Sequence, residues 1–131
     1  MKIATNLEQS EKLAKFVPLY TADMRLDEFN TPYPFPWKFY SGIGSAIIKP
    51  SWSLAVLVKM LPSRIYYEPK GWEDEELDMK LDFGKKSDDE YYICYRDIFT
   101  EIVHDELIFI GNDFVDVCVD MIVKLKEMYL L

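Results

Sequence analysis

The residues that could perform nucleophilic or metal chemistry are few in this sequence. His104 is the one histidine among 131 residues, and the two cysteines, Cys94 and Cys118, lie at unrelated positions. A catalytic Ser–His or Cys–His pair needs a positioned base, and a zinc site needs three or four Cys or His ligands. Asp105 and Glu106 follow His104 in a segment of ambiguous structure, so we interpret the histidine as a surface residue. The sequence therefore predicts no metal site and no catalytic residue.

Motifs that bind phosphate, nucleotides or calcium are not recognisable either. Gly42-x-Gly44 lacks the third glycine and the following helix of a dinucleotide fingerprint. The acids of residues 73–78 lack the spacing of an EF-hand loop. We therefore expect no cofactor. The chain has 23 acids, so a carboxylate-based enzyme stays open as an alternative, and it would need a pocket in which two acids converge.

The main candidate for a binding site is an aromatic segment over residues 32–39. Pro32, Pro34 and Pro36 alternate with aromatic residues, which excludes a helix and favours an extended loop or sheet edge. Side chains two residues apart share one face of an extended chain, and clustered aromatics are typical of protein-recognition surfaces. The alternative is that this face packs on the core. The residues that we expect to contact a partner protein are Tyr33, Phe35 and Trp37.

Most of the net charge lies in one segment. Residues 68–90 contain ten acids and four lysines, a net of −6 out of −8 for the chain. An acidic surface repels phosphates, so we predict no nucleic-acid partner and favour a solvated hairpin. The alternative is a DNA mimic that inhibits a host nuclease by presenting carboxylates in place of phosphates. Lys80 lies between Asp78 and Asp82 and interrupts such a row.

The chain is expected to be cytoplasmic. No apolar run reaches the roughly 20 residues that span a bilayer, and the first residues lack the apolar core of a signal peptide. This predicts no membrane contact. Both cysteines lie within apolar segments, where small buried thiols are favoured over a disulfide.

The first helix is predicted over residues 6–16. Thr5 and Glu8 fit a capping box, in which each side chain meets the backbone N–H of the other residue. Pro18 ends the helix because proline disfavours helical geometry at Val17.

Two further helices are predicted in the middle and at the end of the chain. Residues 52–61, which begin with Trp52, are apolar almost all round, and this pattern predicts a buried central helix. Asn112 or Asp113 caps the last helix. One face of that helix is formed by Val115, Cys118, Val119, Ile122, Leu125 and Tyr129.

The strand patterns indicate a small antiparallel sheet. Residues 77–83 alternate between apolar and polar side chains, with Asp78, Lys80 and Asp82 facing outward. A turn over residues 84–88 leads to a strand at 91–96, and the two strands form a hairpin. Further strands are predicted near 46–48, 64–68 and 107–110, and residues 97–106 are either a short helix or a continuing meander.

Strands that are flanked by helices without regular alternation indicate the α+β class. We therefore predict a single α+β domain over residues 1–131. Its small antiparallel sheet packs with an N-terminal helix, a short buried central helix and a long C-terminal helix.

Several motifs resemble a group of small uncharacterised proteins of prophages and mobile elements in gut anaerobic bacteria. One lies near the start, Ala4-Thr5-Asn6-x-Glu8-Gln9-Ser10, and two more are Pro50-x-Trp52-Ser53-Leu54-x-x-Leu57 and Asp116-x-Cys118-Val119-x-Met121-Ile122-x-x-Leu125. The resemblance implies a small α+β fold and carries over no catalytic or ligand residue. It favours a non-enzymatic accessory protein that binds another protein or forms a homodimer.

Overall fold

The predicted α+β class is confirmed by a computed structural model, which describes residues 2–34, 49–69 and 76–131. These residues form three α-helices and two antiparallel sheets. The elements in chain order are α1 (Leu7–Ala14), β1 (Met24–Leu26), β2 (Pro32–Pro34), β3 (Lys49–Ser51), α2 (Leu54–Met60), β4 (Arg64–Tyr67), β5 (Leu77–Ser87), β6 (Glu90–Asp97), β7 (Val103–Gly111) and α3 (Phe114–Glu127).

The larger sheet contains the four predicted strands near 64–68, 77–83, 91–96 and 107–110, in the order β4-β5-β6-β7. Its odd-numbered residues on β5 and β6 point to one face, because Met79 lies opposite Asp97 and Leu81 opposite Tyr95. This inner face packs on α3 and is fully buried at Met79, Ile93 and Tyr95. The even-numbered residues therefore point away from α3, as predicted for Asp78, Lys80 and Asp82.

The hairpin turn between β5 and β6 lies later than predicted. Strand β5 continues through Gly84 and Lys85 to Ser87, which pairs with Glu90, so the turn is formed by residues 88–89. The run of Gly, Lys and Ser is typical of a turn, but the cross-strand pairing of Lys85 with Tyr91 extends the strand. A register shift between Lys85 and Ser87 accommodates the extension.

The ambiguous segment 97–106 continues the meander. The Asp97 carboxylate accepts hydrogen bonds from the backbone N–H groups of Phe99 and Thr100, both at 2.8 Å. These bonds lower the pKa of Asp97, with Thr100 as the larger contributor. Glu101 has a left-handed backbone with φ of 60°, which turns the chain back into β7.

The smaller sheet has the order β2-β1-β3 and was not predicted, apart from the edge segment at residues 32–34. Prolines at positions 32, 34 and 50 argue against strands because they lack a backbone N–H. Here they lie on the two outer strands, where such a donor is not needed on the solvent side. The strand predicted near 46–48 lies outside the described residues.

The cap of α1 is shifted by one residue from the prediction. The Asn6 carboxamide accepts from the Gln9 backbone N–H at 2.8 Å, and the Gln9 side chain accepts from the Asn6 N–H at 3.1 Å. Thr5 is instead fully buried, and its hydroxyl accepts from the Trp52 N–H at 3.0 Å. Thr5, the predicted cap residue, therefore links the first residues of the chain to Trp52 in the core.

The central helix is shorter and less buried than predicted. Ser53 caps α2 by accepting from the Val56 N–H, and Trp52, which precedes the helix, is fully buried. Within α2 only Leu57 is fully buried, and Ala55 is exposed. One side of α2 packs on α3, and this contact leaves part of the apolar surface of α2 uncovered.

Helix α3 supplies most of the helical part of the core. Asp113 is the N-cap, and its carboxylate accepts from the Val115 N–H at 2.9 Å. Tyr129 was predicted on the buried face but is 93% exposed, because the helix ends at Glu127. Tyr129 adopts φ of 57° and Leu130 N–H donates to the Leu125 carbonyl, which is a Schellman end. No helix in the described ranges is long and apolar enough to cross a membrane.

Candidate interaction surface

The predicted aromatic site is represented in the described residues by Tyr33. It lies on β2 opposite Arg25 and is 37% exposed. Phe35 and Trp37 lie outside the described residues. An aromatic surface that joins the three side chains therefore stays a prediction.

A second surface is formed by the face of the larger sheet that points away from α3. We name it the outer face. The strand register aligns its residues in rows across the sheet. The rows are Tyr66 with Asp78, Arg64 with Lys80 and Arg96, Asp82 with Cys94 and Ile108, and Gly84 with Tyr92 and Ile110.

Both arginines of the outer face are held by aspartates. Arg64 donates to the Asp78 carboxylate from Nε at 3.1 Å and from Nη2 at 2.5 Å. Arg96 donates to Asp82 Oδ2 from Nε at 3.3 Å and from Nη2 at 3.1 Å. Its Nη1 donates to the Glu101 carbonyl at 3.0 Å. Both guanidinium groups are therefore oriented while they remain partly exposed.

The centre of the outer face is a compact polar cluster around Cys94. The Tyr92 hydroxyl lies 3.4 Å from each Asp82 carboxylate oxygen. Cys94 is fully buried, with Sγ 3.8 Å from Arg96 Nη2. Burial raises the pKa of this thiol, and Arg96 offsets only part of the effect. Cys94 is therefore an unreactive thiol rather than a nucleophile, and the predicted buried, free state of Cys94 and Cys118 is confirmed.

The outer face differs in charge and polarity from the rest of this acidic chain. It carries three cationic side chains, Arg64, Lys80 and Arg96, against two aspartates, a net of +1. Apolar surface is exposed beside these charges, with Tyr66 at 61% and Ile110 at 44%. Phe99, in the turn after β6, is 85% exposed and follows Ile98, whose N–H donates to the Asp78 carbonyl. Tyrosine and arginine dominate the binding energy of many protein interfaces.

The ion pairs bear on the DNA-mimic alternative. Asp78 and Asp82, the two acids that alternate on β5, are each paired with an arginine. A mimic needs a row of carboxylates free to replace phosphates. These two acids are therefore not free to form such a row, and the DNA mimic stays a prediction.

A groove of about 390 Å³ lies on the other side of the sheet, between α1, β7 and α3. Its lining residues are Lys12, Asp105, Glu106, Phe109, Asp120, Val123, Lys124 and Glu127. The pKa of Asp120 is raised, mainly by desolvation. The positive charge of Lys12 opposes this shift, and the negative charge of Asp116 adds to it. All four acids of the groove are nevertheless exposed. The groove has the volume of a ligand site and contains four acids, and a carboxylate-based enzyme stays a prediction.

His104 is half-buried and has a packing role that the sequence did not indicate. Its ring lies edge-on to Tyr67, with 5.5 Å between ring centroids and an angle of 61° between the planes. His104 is on β7 and Tyr67 on β4, the two edge strands of the sheet. The contact therefore requires the sheet to curl. Within the described ranges, no group of three His, Cys, Asp or Glu side chains is placed to hold a metal ion.

Part of the outer face can be predicted from the sequence. The outward Asp78, Lys80 and Asp82 were predicted, and the same alternation applied to the strand at 91–96 places Tyr92 and Arg96 on one side. The pairing of these strands, and hence the Asp82–Arg96 contact, depends on a register that the sequence does not define.

No family model matches the chain, and comparisons with curated proteins and with solved structures give no significant match. The resemblance to mobile-element proteins stays a prediction.

Proposed function

We propose that this protein is a non-enzymatic accessory protein of a mobile element and that it acts by binding another protein through its outer face. The observation that carries the proposal is the pair of aspartate-oriented arginines beside exposed Tyr66. Arginines held in position lose less conformational entropy on binding than free ones. Tyr66 adds apolar area with a polar tip, as in many interface centres.

The electrostatics support a partner with an acidic contact surface. The outer face has a net charge of +1, whereas the whole chain has −8. An acidic partner that approaches elsewhere meets repulsion from the same sign of charge, while the net positive charge of the outer face attracts its carboxylates. Complementary charge of this kind guides orientation and specificity more than affinity.

The experiment compares a double variant of the outer face with a matched control. Tyr66→Ala/Arg96→Ala removes the aromatic and one oriented cation, and Tyr20→Ala removes an exposed tyrosine from the short 3-10 helix Leu19–Thr21, which is not part of the outer face. Each tagged protein is used for affinity capture from cells that carry the element, with quantitative mass spectrometry. We expect one protein to be captured by wild type and Tyr20→Ala and to fall about tenfold or more with the double variant.

Two results would contradict the proposal. Equal capture by the double variant would exclude the outer face as the contact surface. If no protein is enriched above an untagged control, binding of another protein is not the function. The remaining alternative is a homodimer in which a second copy of the chain covers the outer face. Sedimentation equilibrium of the purified protein detects such a dimer.

A further inference from the structure

Among the described strands, β7 is a long edge strand of the larger sheet whose last residues contain neither proline nor charge. Proteins blunt exposed sheet edges with prolines, charges or very short strands. In the described ranges, β4 is an edge of four residues and the outer strands of the smaller sheet contain prolines. Strand β7 spans nine residues without proline. Its residues 107–111, Leu-Ile-Phe-Ile-Gly, carry no charge.

The irregular part of β7 is confined to its beginning. Cys94 pairs with Ile108 and Arg96 with Val103, so β7 holds extra residues between these two positions. The pairing is regular from Ile108 to Gly111. Among the described residues, no strand pairs with the other side of this stretch, so it can accept a further strand.

The groove described above runs beside this edge. Phe109 of β7 and Val123 of α3 provide its apolar lining. Four acids and two lysines give the lining a net charge of −2, and Asp105 and Glu106 extend from β7 itself. An edge strand next to a helix, with a groove between them, is the arrangement in which proteins bind extended peptides by strand addition.

We propose that the groove between β7 and α3 binds an extended segment of a partner protein, with alternating basic and apolar residues, by strand addition to residues 108–111. Alternate side chains of an added strand point to opposite faces of the sheet. The lysines or arginines of the segment face the groove and pair with its acids Asp105, Glu106 and Glu127, and the apolar side chains extend the row of Ile108 and Ile110 on the outer face. The inference rests on the proposed protein-binding function, but it uses the edge of β7 and the groove beside it and names the chemistry of the bound segment.

The test uses the purified full chain and three labelled peptides about seven residues long, the length of an ordinary strand. The first alternates lysine and valine, the second alternates glutamate and valine, and the third is the first with its alternate backbone amides N-methylated. Binding is measured by fluorescence anisotropy at about 50 mM and 150 mM salt. We expect the lysine peptide to bind about tenfold or more tightly than either of the others.

A pair of charge-reversal variants locates the site. Glu106→Lys changes an exposed groove acid, and Glu28→Lys makes the same charge change at an exposed position in the turn between β1 and β2 of the smaller sheet. We expect the groove variant to weaken binding of the lysine peptide about tenfold and the turn variant to leave it within about twofold. Circular dichroism confirms that both variants are folded.

Three results would overturn the inference. Equal weakening by both variants would show nonspecific attraction to an acidic protein. Unchanged binding of the N-methylated peptide would exclude strand addition. A wild-type dimer that the groove variant dissociates would assign the edge to a second copy of this chain. Failure of the outer-face capture experiment affects none of these measurements, because they need no natural partner.

Discussion

The two faces of the larger sheet are built from the same strands and have opposite physical roles. On β6, Ile93 and Tyr95 point to α3 and are fully buried, whereas Tyr92 and Arg96 point away and remain partly exposed. The inner face is held by close apolar packing, and the outer face by ion pairs. The comparison shows that stability and recognition can be assigned to alternate residues of one strand, and that they can be changed separately.

The largest effect that tests this separation is the loss of a buried side chain from the inner face. Ile93→Ala should lower the free energy of unfolding by about 2–5 kcal/mol, because it removes apolar contacts and leaves a cavity. Tyr92→Ala, one residue away on the outer face, should cost less than about 1 kcal/mol. Urea unfolding followed by circular dichroism measures both values. Equal costs would show that the outer face is part of the core.

Tyr95 tests the inner face in a second way, through alkaline pH. Burial raises the pKa of Tyr95 above its usual value of 10. Below pH 10 the phenol is neutral in both states and its contribution to stability is complete. Above pH 10 the unfolded chain loses a proton that the folded chain keeps. Stability therefore falls as pH rises, by about 1.4 kcal/mol per pH unit from this group.

The comparison for this pH dependence is between Tyr95→Phe and Ile93→Val. Tyr95→Phe loses the hydrogen bond to the Pro62 carbonyl, 2.7 Å in length, and should cost about 0.5–1.5 kcal/mol at neutral pH. It should also remove the Tyr95 part of the alkaline slope. Ile93→Val should cost a similar amount and keep the wild-type slope. Urea unfolding between about pH 9 and pH 11 measures the slopes, and identical slopes in all three proteins would contradict burial of the phenol.

The same two faces show what could be predicted from the sequence. Alternation over residues 77–83 identified a half-buried strand and its outward side chains, because period-two patterns are local. The extension of β5 beyond Gly84 could not be predicted, since pairing with β6 overrides the turn preference of Gly-Lys-Lys-Ser. The sequence therefore predicts which segments of the larger sheet are strands and which segments are helices, but it predicts the positions of their ends less accurately.

The smaller sheet and the outer-face contacts could not be predicted from local sequence patterns, for a different reason. Strand β1 has three residues, too few to show a period, and prolines occupy its two neighbours. The Arg64–Asp78 and Arg96–Asp82 pairs each join residues fourteen positions apart. Such pairs depend on strand register, and no local signal encodes it. The β7 groove likewise joins residues from three elements.

The smallest expected effect is the coupling between Asp82 and Arg96 on the outer face. Their side chains are 34% and 31% exposed, so solvent screens their attraction. A double-mutant cycle with Asp82→Asn, Arg96→Gln and the double variant should give a coupling of about 0.2–1 kcal/mol in urea unfolding. About 1 M salt should reduce it, because the ions screen partly exposed charges.

The value of this coupling decides how the outer face is interpreted. A weak, salt-sensitive coupling means that the pair positions the guanidinium of Arg96 without being required for folding, which is what a binding surface needs. A coupling of about 3 kcal/mol or more, insensitive to salt, is typical of a buried ion pair. That result would place Asp82, Arg96 and Cys94 in a second core, and it would remove the structural basis for protein binding at the outer face.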